Sequence, residues 1–223
     1  MQVRGISMAK RENISASVVR RLPRYYRFLR ELDKQGVSHV SSSELANKMG
    51  STASQVRQDL NCFGGFGHQG IGYSVAQLRD EIENILGIKC LYPAILVGAG
   101  NIGTAIANQV ISENRCIDLI GIFDKDPRRI GTVIGGITVD DTQAIERFCR
   151  ERQVVTAIIC VPKSAVEEIS QRLYNCGIHS FWNFSHFDIS DKFPDVVVEN
   201  VHLSESLMEL CFKITQRTGE NDL

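Results

Sequence analysis

Gly98, Gly100 and Gly103 stand at the spacing G-x-G-x-x-G, and that spacing suits one kind of chemistry, the close approach of backbone to phosphate. The first glycine permits a tight turn, the second lets the chain come near a pyrophosphate, and the third lets a helix pack closely on a strand. Ala99, Asn101 and Ile102 lie between them and belong to the same candidate site. A carboxylate completes the pattern: Asp124 lies about twenty residues beyond Gly103, where it would accept hydrogen bonds from an adenine-side ribose and repel a 2′-phosphate. Lys125 follows it and joins the candidate set.

These residues need particular elements to hold them. The apolar run 95–97 reads as a buried parallel strand, and 104–111 has apolar residues at helical intervals. A helix starting there would offer free N–H groups and a partial positive charge to the phosphates. A second apolar strand over 117–123 ends at Asp124. Strand, glycines, helix, strand and terminal acid agree, so the motif reads as a dinucleotide site rather than a chance glycine turn.

A second set of residues points to nucleic acid. Up to Arg79 the chain carries 12 Lys and Arg against 5 Asp and Glu, and beyond it 13 against 21. Such asymmetry suggests a basic module joined to one with another task. Arg24 shares a face with Arg20, Arg27 and Lys34 on a helix whose first turn is expected at Pro23. Two capping boxes follow, Ser41 to Glu44 and Thr52 to Gln55, each opening a short helix, with Gly50 between. That is a helix-turn-helix pattern, whose second helix would present Ser54, Gln55, Arg57 and Gln58 to base edges. The glycine-rich stretch 63–73, with His68, Gln69 and Gly70, reads as a wing lying on the DNA backbone or in the minor groove. No strand leads into it and no Lys-Ser/Thr follows, which excludes a P-loop.

Beyond Asp124, strands and helices alternate to residue 201, which predicts a doubly wound parallel sheet. The last helix, over 203–217, carries Leu203, Leu207, Leu210 and Ile214 as one stripe, widened by Met208, Cys211 and Phe212. So broad an apolar surface on a terminal helix predicts a subunit interface. The seven cysteines form no C-x-x-C pair, so reduced thiols are expected rather than a disulfide framework or a metal site. No apolar run has membrane-spanning length and the N-terminus is charged, so a cytoplasmic protein is expected.

The pieces together resemble a known family. Leu22-Pro23-x-Tyr25-Tyr26-Arg27-Phe28-Leu29, Val56-Arg57-x-Asp59-Leu60, Phe63-Gly64, Gly70-x-Gly72-Tyr73, the glycine motif, Phe123-Asp124, Val161-Pro162 and Asn183-Phe184 are similar to the Rex family of redox-sensing transcriptional repressors. The resemblance runs over nearly the whole chain. It implies an α/β protein: an N-terminal winged-helix domain (1–86), a Rossmann-like doubly wound domain (87–202) and a C-terminal domain-swapped helix and tail (203–223). It implies a homodimer on a pseudo-palindromic operator, with NADH and NAD⁺ as regulatory ligands, that leaves DNA when NADH is high relative to NAD⁺. By resemblance, Gly98 to Gly103 would hold the pyrophosphate, Asp124 the adenosine ribose, and Val161, Pro162, Asn183 and Phe184 the nicotinamide side, while Arg57 would read bases. The chain departs from the family's usual residues at Gln58, Gln69, Gln109, His202 and Leu203. Two other readings stay open: a paralogue that binds DNA without answering NADH, and an NAD-dependent oxidoreductase. The oxidoreductase would need a base from His179, His186 or His202, and the sequence holds no Tyr-x-x-x-Lys.

Overall fold

The computed structural model describes residues 14–62, 67–68, 71–113 and 116–218, and the chain divides into two compact units, Met1–Cys90 and Leu91–Leu223. The basic residues Arg4, Lys10 and Arg11 lie outside the described residues, as do Gln69 and Gly70 of the expected wing.

The first unit runs α1 (Ala16–Lys34), β1 (His39–Val40), α2 (Ser42–Met49), α3 (Ala53–Asn61), β2 (Gly67–His68), β3 (Gly72–Ser74) and α4 (Val75–Leu86). Helix α1 begins earlier than Pro23 suggests: the Ser15 hydroxyl accepts from the Val18 N–H at 3.4 Å, so Pro23 is interior. The reason is the buried stripe Val18, Leu22, Tyr25 and Leu29, which spans the proline. Losing one intrahelical bond costs about 3 kcal/mol, and each buried apolar side chain contributes about 1.5–3 kcal/mol. The Ser41–Glu44 capping box forms in both directions, at 3.1 and 2.7 Å. The second box forms only by half. Thr52 accepts from the Gln55 N–H at 3.1 Å, but the Gln55 amide turns to Asp59 instead of reaching back. The strands make an antiparallel sheet in the order β1-β3-β2.

The second unit runs β4 (Tyr92–Val97), α5 (Asn101–Glu113), β5 (Ile117–Asp124), β6 (Val133–Ile134) and β7 (Ile137–Asp141). After a 3-10 turn at Thr142–Ala144 come α6 (Ile145–Glu151), β8 (Thr156–Ile159), α7 (Lys163–Asn175), β9 (Ser180–Asn183), β10 (Val197–Asn200) and α8 (Leu203–Thr218). The sheet order is β10-β9-β8-β4-β5-β7-β6, parallel at every pair except β6 with β7. Pleating divides β4 between two cores. Ile95 and Val97 pack with Val166 and Leu173, while Leu96 packs with Ala107 and Val110. Both faces are thus covered, which is why the strands read as continuous apolar runs. The chain moves outward from β4 in one direction through β5 and β7, then returns to β8 and moves the other way. The crevice beyond β4 and β8 is therefore a topological switch point.

Candidate functional site

That crevice is formed by a turn the sequence makes obligatory. Gly98 has φ +99, and a Cβ there would lie 2.6 Å from the Cys160 carbonyl oxygen. At Gly103 a Cβ would lie 1.8 Å from the Gly98 carbonyl oxygen, so helix α5 can start against the turn only because both positions lack side chains. Gly100 differs: a Cβ there would meet nothing within 4 Å, and its φ is not in the left-handed region. The protein's own packing gives no reason for a glycine at that position. The space above it is the crevice.

Asp124, at the end of β5, fixes this loop. Its Oδ2 accepts from the Ala99 N–H at 2.6 Å and its Oδ1 from the Asp126 N–H at 2.9 Å. Each oxygen keeps a lone pair for a further donor. Ala99 is fully buried beneath the loop, and Thr104 Oγ1 donates to its carbonyl at 3.2 Å.

A cavity of about 570 Å³ opens here, and its walls include Gly98, Gly100, Asn101, Ile102, Asp124 and Lys125. Val161, Pro162 and Phe184 line it from the other side. The size suits a small-molecule or cofactor site. Gly103 packs below the loop, and Asn183 is fully buried. The Asn183 amide donates to the Phe187 carbonyl and to Asn200 Oδ1, both at 2.8 Å, and its Oδ1 accepts from Ser185 Oγ at 2.8 Å. Asn183 therefore shapes the turn that carries Phe184.

The sequence reading missed one wall. Thr142, Cys160, Ala165, Glu168, Ile169 and Arg172 also line the cavity. Arg172 grips Glu146 through Nε at 2.6 Å and Nη2 at 3.0 Å, and Nη2 also donates to the Thr142 carbonyl at 2.7 Å. Arg172 raises no motif, but it falls one turn from Ile169 and so on the edge of the buried face of α7. Burial pushes the Cys160 thiol up to about 12, so this cysteine is neutral and serves as packing.

In the first unit, Ser54, Arg57 and Gln58 are exposed on one face of α3. Asn61, one turn beyond Arg57, is exposed on the same face and was not foreseen. Arg57 Nη1 donates to Ser42 Oγ at 3.0 Å. Gln55 is half-buried, and Arg24 is exposed on α1, its guanidinium 6.0 Å from the Phe28 ring centre. His68 lies on β2, paired with Gly72 across the hairpin.

The remaining candidates lie elsewhere in the second unit. Every described side chain from Leu203 to Arg217 is exposed, including Leu207, Leu210 and Ile214. His202 stacks on His186 with ring centres 5.1 Å apart, and its Nδ1 lies 2.7 Å from Glu205 Oε1. His179 Nδ1 lies 3.2 Å from Asp195 Oδ2. None of the three histidines lines the cavity. Gln109 donates to Glu113 on its own helix. No group of three or more potential metal ligands occurs among the described residues, and no helix among them is long and apolar enough to cross a membrane.

Comparison with known proteins covers both units. Residues 13–61 match the family described as "Putative DNA-binding protein N-terminus", and 91–187 match the family described as "CoA binding domain". The redox-sensing transcriptional repressor Rex of Clostridium botulinum is 47% identical over 210 residues, 94% of this chain and 100% of that protein. Among solved structures, the Rex-family repressor RSP in complex with β-NADH is 42% identical over 92% of this chain and 96% of its own, with a TM-score of 0.82. The same repressor in complex with β-NAD⁺ and operator DNA is 43% identical over 94% of this chain and 99% of its own, again with a TM-score of 0.82.

Proposed function

The chain belongs to the Rex family of redox-sensing transcriptional repressors, and we propose on that premise that it represses from operator DNA and leaves it when NADH binds. NADH and NAD⁺ are its regulatory ligands. One observation carries this reading. The similarity to the repressor bound to NAD⁺ and operator DNA extends over 94% of this chain, so it takes in both the α3 face and the glycine turn.

In this reading Gly98, Gly100 and the first turn of α5 hold the pyrophosphate. The free N–H groups and the dipole of the helix supply the positive field. Asp124 accepts from the ribose hydroxyls, with Lys125 beside it, and favours NAD(H) over NADP(H). Val161, Pro162 and Phe184 form the apolar nicotinamide side, supported from below by Asn183. Arg57, Ser54 and Gln58 face base edges, Arg24 faces the DNA backbone, and His68 with the neighbouring Gln69 and Gly70 forms the wing contact. The uncovered stripe of α8 pairs two subunits, so the working division of the chain is 1–86 for DNA, 87–202 for nucleotide and 203–223 for the exchanged helix. The protein acts in the cytoplasm and carries no catalytic residue.

The test uses the full-length protein and a duplex that it selects from a random pool. Fluorescence anisotropy should give sequence-selective binding that falls steeply with salt through counterion release. NADH should weaken it more than NAD⁺ does. Absence of sequence selectivity, or equal affinity with either nucleotide and with none, contradicts the reading. Steady turnover of alcohols or hydroxy acids, followed by nicotinamide absorbance, would contradict the non-catalytic part.

A further inference from the structure

Helix α3 holds a charge where its pattern calls for an apolar residue. Asp59 lies on the stripe with Val56 and Leu60 and is fully buried. Both of its oxygens are engaged. Arg21 of α1 donates through Nε to Oδ2 and through Nη2 to Oδ1, each at 2.7 Å. Tyr25, one turn along α1, donates to Oδ2 at 3.1 Å. Gln55, one turn back on α3, donates from Nε2 to Oδ1 at 2.8 Å. Burial alone would push the Asp59 carboxyl up. The hydrogen bonds from Arg21, Gln55 and Tyr25 outweigh it and hold the group below the usual carboxylate range.

An ion pair whose carboxylate is buried and whose guanidinium is half-exposed is a poor way to gain stability, since apolar residues of similar volume often hold a core as well. What it adds is direction. The planar guanidinium fork meets a carboxylate in one orientation, which fixes the roll of α3 on α1. A carboxylate only accepts hydrogen bonds, so the atom of Gln55 that faces it is nitrogen. The amide is thereby oriented, and its carbonyl oxygen remains for another donor. Ser54 and Gln58 flank this clamped side chain in sequence or across one turn, and Arg57 lies on the same exposed arc.

We propose that Asp59 is a positioning residue for base reading, fixing the rotation of α3 and the amide of Gln55 without touching DNA itself. The proposal rests on α3 being the recognition helix, as read above. It makes sequence preference depend on a group buried in the protein core.

The test compares Asp59→Asn and Arg21→Gln with the wild-type full-length chain on two duplexes, one selected by the wild type from a random pool and one shuffled from it. Both variants remove the directed pair, so either one reports if the other fails to fold, as judged by thermal unfolding. The expected result is a fall of about tenfold or more in the ratio of selected to shuffled affinity, with shuffled affinity held within about twofold. NADH affinity should not change. Re-selection by the variant should give a relaxed base preference at one position of each half-site. A merely structural role predicts parallel loss on both duplexes and the same selected sequence, and that result overturns the proposal. An unchanged ratio in a folded variant overturns it as well. A wild-type chain that selects no sequence overturns the recognition-helix reading itself.

Discussion

At the scale of single residues, the glycine turn separates what the fold requires from what a ligand requires. Gly98 and Gly103 are demanded by neighbouring backbone, but Gly100 is not. Gly103→Ala should therefore damage the unit itself, lowering its melting temperature and abolishing nucleotide binding. Gly100→Ala should leave the melting temperature within experimental error and still lose NADH affinity by about tenfold or more, because its methyl group would occupy the phosphate's place. Calorimetry together with thermal unfolding separates the two effects, and an alanine at Gly100 that binds NADH normally would contradict the pyrophosphate assignment. Glu146 gives a pH-dependent counterpart. The hydrogen bond from Arg172 holds its carboxyl below the ordinary value of 4.5, against the opposing effect of burial. A depressed value means that the stabilisation is complete above 4.5 and is lost as pH falls through the folded-state value. The wild type should lose melting temperature on acidification in that window, and Glu146→Gln should show a shallower loss there. Identical slopes would mean that the pair contributes nothing.

Among the elements, legibility followed how local the cause is. Strand β4, the glycine turn, α5, β5 and Asp124 are consecutive in the chain, and each supports the reading of the next. Helix α4 is bounded by equally local causes, the Ser74 cap before Val75 and the left-handed Gly87 after Leu86. The two-residue strands β1 and β6 gave no periodic signal, since two residues cannot show a period. Pro23 pointed to a false helix start because long-range burial outweighed a local preference. No local pattern marks the partners of Asp59 and Arg172: Asp59 lies on a buried apolar stripe, Arg172 at the edge of one, and each finds its partner across the fold. The half-formed cap at Thr52 has the same origin, because Asp59 competes for the Gln55 amide.

Arg57→Ala should cost about 1–3 kcal/mol on the selected duplex, the worth of a bidentate base contact, and much less on shuffled DNA. Equal losses on both in a binding titration would reduce Arg57 to a phosphate contact. On α8, Leu207→Glu or Leu210→Glu places a charge where an apolar interface is expected, and an unpaired buried charge is costly. Light scattering should then report monomers. A dimer that survives both substitutions would remove α8 from the interface.

For the whole molecule, the proposed operator and nucleotide sites belong to different units of one chain. Coupling between them requires that each ligand shift a conformational equilibrium that the other also shifts. Such coupling is reciprocal: the factor by which NADH weakens operator binding is the factor by which operator weakens NADH binding. A useful switch needs about 1.4 kcal/mol, or tenfold. The most direct test measures the NADH dissociation constant of the full-length protein by calorimetry, with and without saturating selected duplex, and the duplex dissociation constant with and without NADH. The account predicts that both constants rise by one common factor of about ten or more. An NADH affinity indifferent to bound operator would contradict it.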